Sequence, residues 1–247
     1  MNTENPNDTI NRLIRDMGAR REAARRSHLL FFNIYFPHYV VYPTADFQKE
    51  MFTLTEDESI SALVVVAFRG SGKSTIMTLS YPLWAVLGRQ QAKFVLLLAK
   101  TQAQAKQYMR NIEAELEGND LLKSDLGPFH KEDEWNASSL VIPKYGARIT
   151  AASMEQGIRG IRHGSHRPDL IILDDIDDLS SVKTLENREK TYQWLKGDVI
   201  PLGDRETRLA AIGNLLHDDS MIMRLKAEIG SGAMSGRPSP STRRSRR

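Results

Sequence analysis

The chain has 247 residues, 26% of them charged, 40% hydrophobic and 7% aromatic, a globular composition with room for one large domain or two small ones. The absence of cysteine excludes a disulfide framework, thiol catalysis and any Cys-ligated zinc or iron–sulfur centre. The net charge of +3 is supplied by five arginines in residues 231–247; the other 29 basic side chains face 31 acidic ones, so the body is slightly acidic and overall charge argues nothing about nucleic acid.

The N-terminal MNTENPNDTI lacks the basic-then-apolar order of a secretory signal. The longest apolar runs, 62–68 and 94–99, fall far short of the roughly 20 residues a membrane span needs. A soluble protein of a reducing compartment is expected. Residues 8–33 carry Ile10, Leu13, Ile14 and Met17 at helical spacing among arginines, which predicts a helix. FPHYVVYPTADFQ (36–48), broken by Pro37 and Pro43, reads as an ordered aromatic approach segment. SALVVVAF (61–68) is a buried strand, followed by RGSGKST and an apolar helix to about Leu87 that Pro82 should kink.

KFVLLLAK (93–100) is a second buried strand, and residues 101–117 an amphipathic helix with Ala105, Met109, Ile112 and Leu116 on one side. Residues 139–152 resemble a hairpin turning near 144–146. DLIILDD (169–175) is a third buried strand, 183–197 a helix, and TRLAAIG (207–213) a fourth strand. Val/Ile/Leu-rich strands with little alternation, separated by helices, predict an α/β fold with a parallel sheet covered on both faces.

The strongest chemical signal is AFRGSGKST (67–75) between strand and helix. A P-loop needs small residues so that successive backbone N–H groups face phosphate oxygens, a lysine for the β- and γ-phosphates and a hydroxyl for Mg²⁺. Gly70, Ser71, Gly72, Lys73, Ser74 and Thr75 supply these, although Ala67 stands where the full pattern has glycine. A plain glycine-rich turn is the bland alternative. Such a site also needs an acid at the end of a neighbouring strand, and DLIILDD offers Asp174 to hold Mg²⁺ through water, with Asp175 beside it to activate the attacking water. Asp stands where the additional-strand P-loop ATPases normally carry Glu, so Asp177 or Asp178 is a further candidate; DDIDD also suits a solvated loop with a helix cap.

Five segments occur together in order: PHYVVYPTADFQ, FRGSGKST, AKTQAQAKQYMRNIEAELEGNDLL, GIRGIRHGSHRPDLIILDDIDD and AAIGNLLH. Over roughly residues 27–228 the chain resembles the N-terminal ATPase part of the large terminase subunit of tailed bacteriophages. The resemblance implies a RecA-like P-loop NTPase fold of the additional-strand type, with ATP and Mg²⁺ as cofactors. It further implies movement of double-stranded DNA into procapsids by a homo-oligomeric ring, with the portal protein and small terminase subunit as partners in the host cytoplasm.

Residue by residue, Gln48 matches the position that reads the adenine edge, Arg69 the P-loop arginine that senses the γ-phosphate, and Gly213-Asn214 the motif coupling hydrolysis to movement. Asn214 replaces the usual hydroxyl residue there. An exposed loop glutamine is the alternative reading of Gln48. Arg159 and Arg162 are trans arginines in this reading, reaching a neighbour's nucleotide, or else solvated or DNA-facing loop residues. His163 and His166 lack a third ligand at useful spacing for a metal.

The expected organisation is a helical segment (1–35), an ATPase domain (36–230) and a disordered basic Ser/Pro/Arg tail (231–247). No nuclease activity is expected, because nothing acidic follows Glu228, and the abrupt change of composition reads as a truncated, frameshifted or split gene product or as a basic DNA-binding tail. Loss of final elements should leave apolar surface near 207–213. A helicase or repair translocase sharing the core, and a non-hydrolysing assembly fragment, are the rival functions.

Overall fold

A computed structural model describes residues 15–130, 135–158 and 160–230. Seven strands form one sheet: β1 (Ala62–Val66), β2 (Phe94–Ala99), β3 (Trp135–Asn136), β4 (Ser139–Ile142), β5 (Ala147–Ser153), β6 (Leu170–Asp174) and β7 (Arg208–Gly213). Their order is β1-β7-β6-β2-β5-β4-β3. The first five positions pair in parallel and the last two in antiparallel. The strand β7 is thus inserted between the strand before the glycine-rich loop and the strand ending in acids.

Period-two alternation sends successive residues of each strand to opposite faces. Val95 and Leu97 of β2 join one core with Leu63, Val65 and Ile172, while Leu96 and Leu98 join the other with Ile171, Leu173 and Leu209. Among the described residues, six α-helices belong to the first face: α1 (Met17–Arg26), α2 (His28–Tyr35), α3 (Asp46–Glu56), α4 (Tyr81–Leu87), α5 (Gln102–Gly118) and α6 (Asp120–Leu126). The second is covered by α7 (Leu185–Trp194) and α8 (Met221–Gly230). Residues of α1 and α2 (Ala24, Phe31, Phe32, Tyr35) share the core of the sheet, so the N-terminal helices are integral to this layer.

The single helix expected over 8–33 is broken at Ser27; its residues before 15 lie outside the described part. Ser27 is extended (φ −127°, ψ 124°), closing α1 and capping α2 by accepting from the Leu30 N–H. Its hydroxyl also donates to Glu56 at 2.8 Å, a tertiary bond that periodicity does not report. The helix α3 is likewise not expected from its sequence. After the glycine-rich loop the chain forms a π-helix over Thr75–Ser80, and the Tyr81 N–H reaches back to Ile76. Pro82 has no N–H and its ring crowds the carbonyl of residue 78, so the wider turn relieves the conflict.

The strand β7 is buried throughout, so the apolar surface expected near 207–213 does not lie on the strand itself. Leu215 and Leu216, just beyond the strand, are exposed, and β1 and β3 are the terminal strands of the sheet.

The helices α1, α2 and α6 are tied by one buried carboxylate. Asp125 accepts from Arg20 Nε at 2.6 Å, Arg20 Nη2 at 2.7 Å and the Tyr35 hydroxyl at 3.0 Å. Asp125→Asn keeps the shape but removes the charge opposite a buried guanidinium. It should cost about 2–3 kcal/mol in urea denaturation, and a loss below about 0.5 kcal/mol would show that the pair is energetically idle.

Candidate active site

The carboxyl ends of β1, β7, β6 and β2 meet at one end of the sheet, where ligands bind in open α/β folds. The loop after β1 is stitched to β7 by the Ala67 N–H on the Gly213 carbonyl (3.0 Å), and β6 is extended by the Asp175 N–H on the Ile212 carbonyl (3.0 Å). Gly70 and Gly72 have φ of +79° and +78°, a left-handed backbone that side chains rarely adopt. Nothing lies within 4 Å of where a Gly70 Cβ would project, so the loop is open on that side. The Ser71 hydroxyl is buried and without a hydrogen-bond partner.

Lys73 is buried, with 5% of its surface exposed, and its ammonium donates to Asn214 Oδ1 at 3.2 Å. Asn214 Nδ2 in turn donates to Asp175 Oδ1 at 3.1 Å, and Lys73 Nζ stands 3.8 Å from Asp175 Oδ2. Three expected site residues from three chain segments therefore form one contiguous polar cluster. Asp175 has φ +47°, a left-handed conformation uncommon outside glycine and best tolerated by Asn and Asp. Gly213 packs closely: a Cβ there would come within 3.0 Å of Ile222.

Asp174 is 1% exposed. The Tyr108 hydroxyl donates to its Oδ2 at 3.1 Å, while Oδ1 is buried without a partner. Burial, reinforced by the Asp175 charge, pushes this carboxyl up to about 6, against the nearby Ser74 and Tyr108 hydroxyls and Lys73. An unfolded aspartate titrates near 4, so between about pH 4 and pH 6 the native state binds more protons and its stability falls as pH rises. Asp174→Asn should therefore gain stability relative to wild type across that window, by about 3 kcal/mol above pH 6 in nucleotide-free protein. Urea denaturation between pH 4 and 8 measures this, and a pH-independent difference would contradict it.

Asp177, the alternative acid, is committed elsewhere. Its two oxygens accept from the Met221 N–H (3.3 Å) and the Ile222 N–H (3.0 Å) at the start of α8. This is the helix-cap reading of DDIDD, realised at that one residue. Asp178 accepts from Ser180 and Ser181 and faces Lys100 at 3.8 Å.

Gln48 touches the glycine-rich loop, donating Nε2 to the Ser71 carbonyl at 2.9 Å, while its Oε1 accepts from the Ala45 N–H at 3.0 Å and so caps α3. It lines a cleft of about 310 Å³ walled by Phe32, Tyr39, Pro43, Phe52 and the loop glycines. At the other end of α3, the buried Arg208 of β7 donates to the carbonyls of Thr55 (2.8 Å) and Asp57 (2.9 Å). The helix is thereby fixed between the loop and the sheet.

Arg69 is exposed beside the loop. Arg162 is exposed and remote: the ring of the next residue, His163, lies 6.3 Å from Phe94, which opens β2 at the opposite end of the sheet. His163 and His166 face each other through backbone hydrogen bonds. Arg159 lies outside the described residues. Sequence reasoning missed Tyr108, Gln104 and Lys100. Tyr108 stands on the buried stripe of a helix that reads as core, and only its hydroxyl distinguishes it from a packing aromatic.

No helix among the described residues is long and apolar enough to cross a membrane. No protein-family model matches the chain, and no curated protein does. Solved structures do match. The large terminase of bacteriophage HK97 superposes with a TM-score of 0.53 at 15% identity, over 87% of this chain and 42% of that one. An ATPase-domain variant of the large terminase of Thermus phage P74-26 gives a TM-score of 0.50 at 14% identity, over 77% of this chain and 70% of that one. The chain thus spans less than half the length of the HK97 protein. The mostly parallel sheet flanked by helices is a fold that this chain shares with these two large terminase structures.

Proposed function

We propose that this chain is the ATP-hydrolysing motor part of a phage large terminase, moving double-stranded DNA into procapsids. One observation carries the reading: Lys73, Asn214 and Asp175, distant in sequence, form a contiguous cluster at the carboxyl end of the sheet beside the buried Asp174. The residues present suit Mg·ATP. The loop is open beside Gly70, Lys73 lies in the same loop, and Asp174, near the Ser74 hydroxyl, keeps Oδ1 as a buried acceptor without a partner.

In this reading the backbone N–H groups of 70–75 and Lys73 bind the phosphates, and Ser74 with Asp174, through water, holds the metal. Mg²⁺, when bound, neutralises charge on the β- and γ-phosphates. Asp175 accepts the proton of the attacking water, and Asn214, joined to both Lys73 and Asp175, reports the state of the phosphate to β7. Arg69 senses the γ-phosphate, and the cleft beside Gln48 takes the base. Arg162 would serve a neighbour's site in a ring or else be a solvated or DNA-facing loop residue, and for Arg159 the same pair of roles rests on the resemblance alone.

DNA is held through its phosphates without base reading, and the portal protein and small terminase subunit are the partners at the procapsid in the host cytoplasm. Phosphate release by purified protein, with and without linear double-stranded DNA, tests the proposal. Mg²⁺-dependent hydrolysis stimulated by DNA is expected. No hydrolysis under either condition would sink the motor reading and favour an assembly fragment.

A further inference from the structure

We propose that Tyr108 is a positioning residue for Asp174, its phenol holding one carboxylate oxygen so that the other alone is left for Mg²⁺. The inference rests on the Mg·ATP reading above. Tyr108 lies on α5 with Ala105, Met109 and Ile112, all buried, so packing of the helix sets where the hydroxyl stands. The phenol oxygen is 3.1 Å from Asp174 Oδ2. One turn earlier on the same helix, Gln104 donates its amide to that phenol oxygen at 2.7 Å.

The direction of the relay follows from the donor inventory. A phenol has one proton, and with its oxygen already accepting from Gln104 that proton is directed at Asp174. Oδ2 is thereby engaged, and Oδ1, buried and unpartnered, is the acceptor left over. The last torsion of an aspartate is soft, with a broad two-fold profile. Without the phenol the two oxygens exchange roles, and the buried anion loses a charge-assisted bond. A tyrosine that merely filled space would be replaced by phenylalanine without consequence for the metal.

The test is a Mg²⁺ titration of binding of a fluorescent, non-hydrolysable ATP analogue, with a parallel titration of the analogue in EDTA. Tyr108→Phe should raise the half-saturating Mg²⁺ concentration about tenfold, the loss of one hydrogen bond to a charged group, and leave affinity in EDTA unchanged. Gln104→Leu, which frees the phenol to turn, should raise it in the same direction by about threefold. A Tyr108→Phe protein with the wild-type Mg²⁺ requirement, or one that loses affinity equally in EDTA, overturns the inference. If the Tyr108→Phe protein does not fold, an unchanged requirement in Gln104→Leu overturns it instead. A wild-type protein without Mg²⁺-dependent binding removes the ATP reading itself, and this inference with it.

Discussion

Lys73→Ala should reduce ATP turnover by a hundredfold or more while the fold stays intact. Lys73 is 5% exposed, and the partners of its ammonium are the Asn214 amide and, at 3.8 Å, Asp175. It is a buried cation held beside an open loop rather than sealed in an ion pair. Removing one preorganised donor aimed at developing charge costs roughly 10²–10³ in rate. The structural cost is smaller, because the Asn214–Asp175 bond survives and Asp175, with a third of its side chain exposed, is already partly hydrated. Steady-state phosphate release and a thermal melt on the same preparation separate the two effects. Wild-type hydrolysis in this variant would remove Lys73, and with it the loop, from the active site.

Asp175→Asn should abolish turnover, by about 10²–10⁴, while Mg²⁺-dependent nucleotide binding persists. The substitution is unusually clean at this position. Asn tolerates the φ of +47° as well as Asp does, and its carbonyl oxygen still accepts from the Asn214 amide. What is lost is the negative charge and its basicity. Asp175→Ala is a poorer probe, since it adds backbone strain of about 1 kcal/mol and drops the Asn214 contact as well. Single-turnover hydrolysis alongside equilibrium binding measures the split. Normal hydrolysis by the Asn variant would show that the proton goes elsewhere, and Asp177 is no ready substitute because both of its oxygens cap α8.

The four parallel strands read from the sequence, 61–68, 93–100, 169–175 and 207–213, all stand in the sheet within two residues at either end, and the 139–152 hairpin turns where expected, at Gly146 (φ +57°). Apolar strand runs and the glycine–lysine loop are legible because each is a local pattern: burial on both faces demands uninterrupted Val, Leu and Ile, and a loop backbone at positive φ demands glycine. The helix break at Ser27 and the π-turn before Pro82 are not, since the first depends on a bond to Glu56, 29 residues away, and the second on how the neighbouring turn absorbs a missing donor.

By itself, then, the sequence determined the α/β class, the strand inventory, the loop and the strand-end acids, because these follow from hydrophobic periodicity and from residue types with few conformational substitutes. Only the tertiary structure decided which partner each acid meets. Asp174 meets Tyr108, 66 residues earlier; Asp175 meets Asn214, 39 residues later; Asp177 is spent on α8, and Arg162 lies at the far end of the sheet. The carboxylates of DDIDD are chemically identical in the sequence. Their partners differ because strand order places β7 on one side of β6 and β2, leading into α5, on the other, and a hydrogen-bond partner is chosen by that proximity rather than by spacing along the chain.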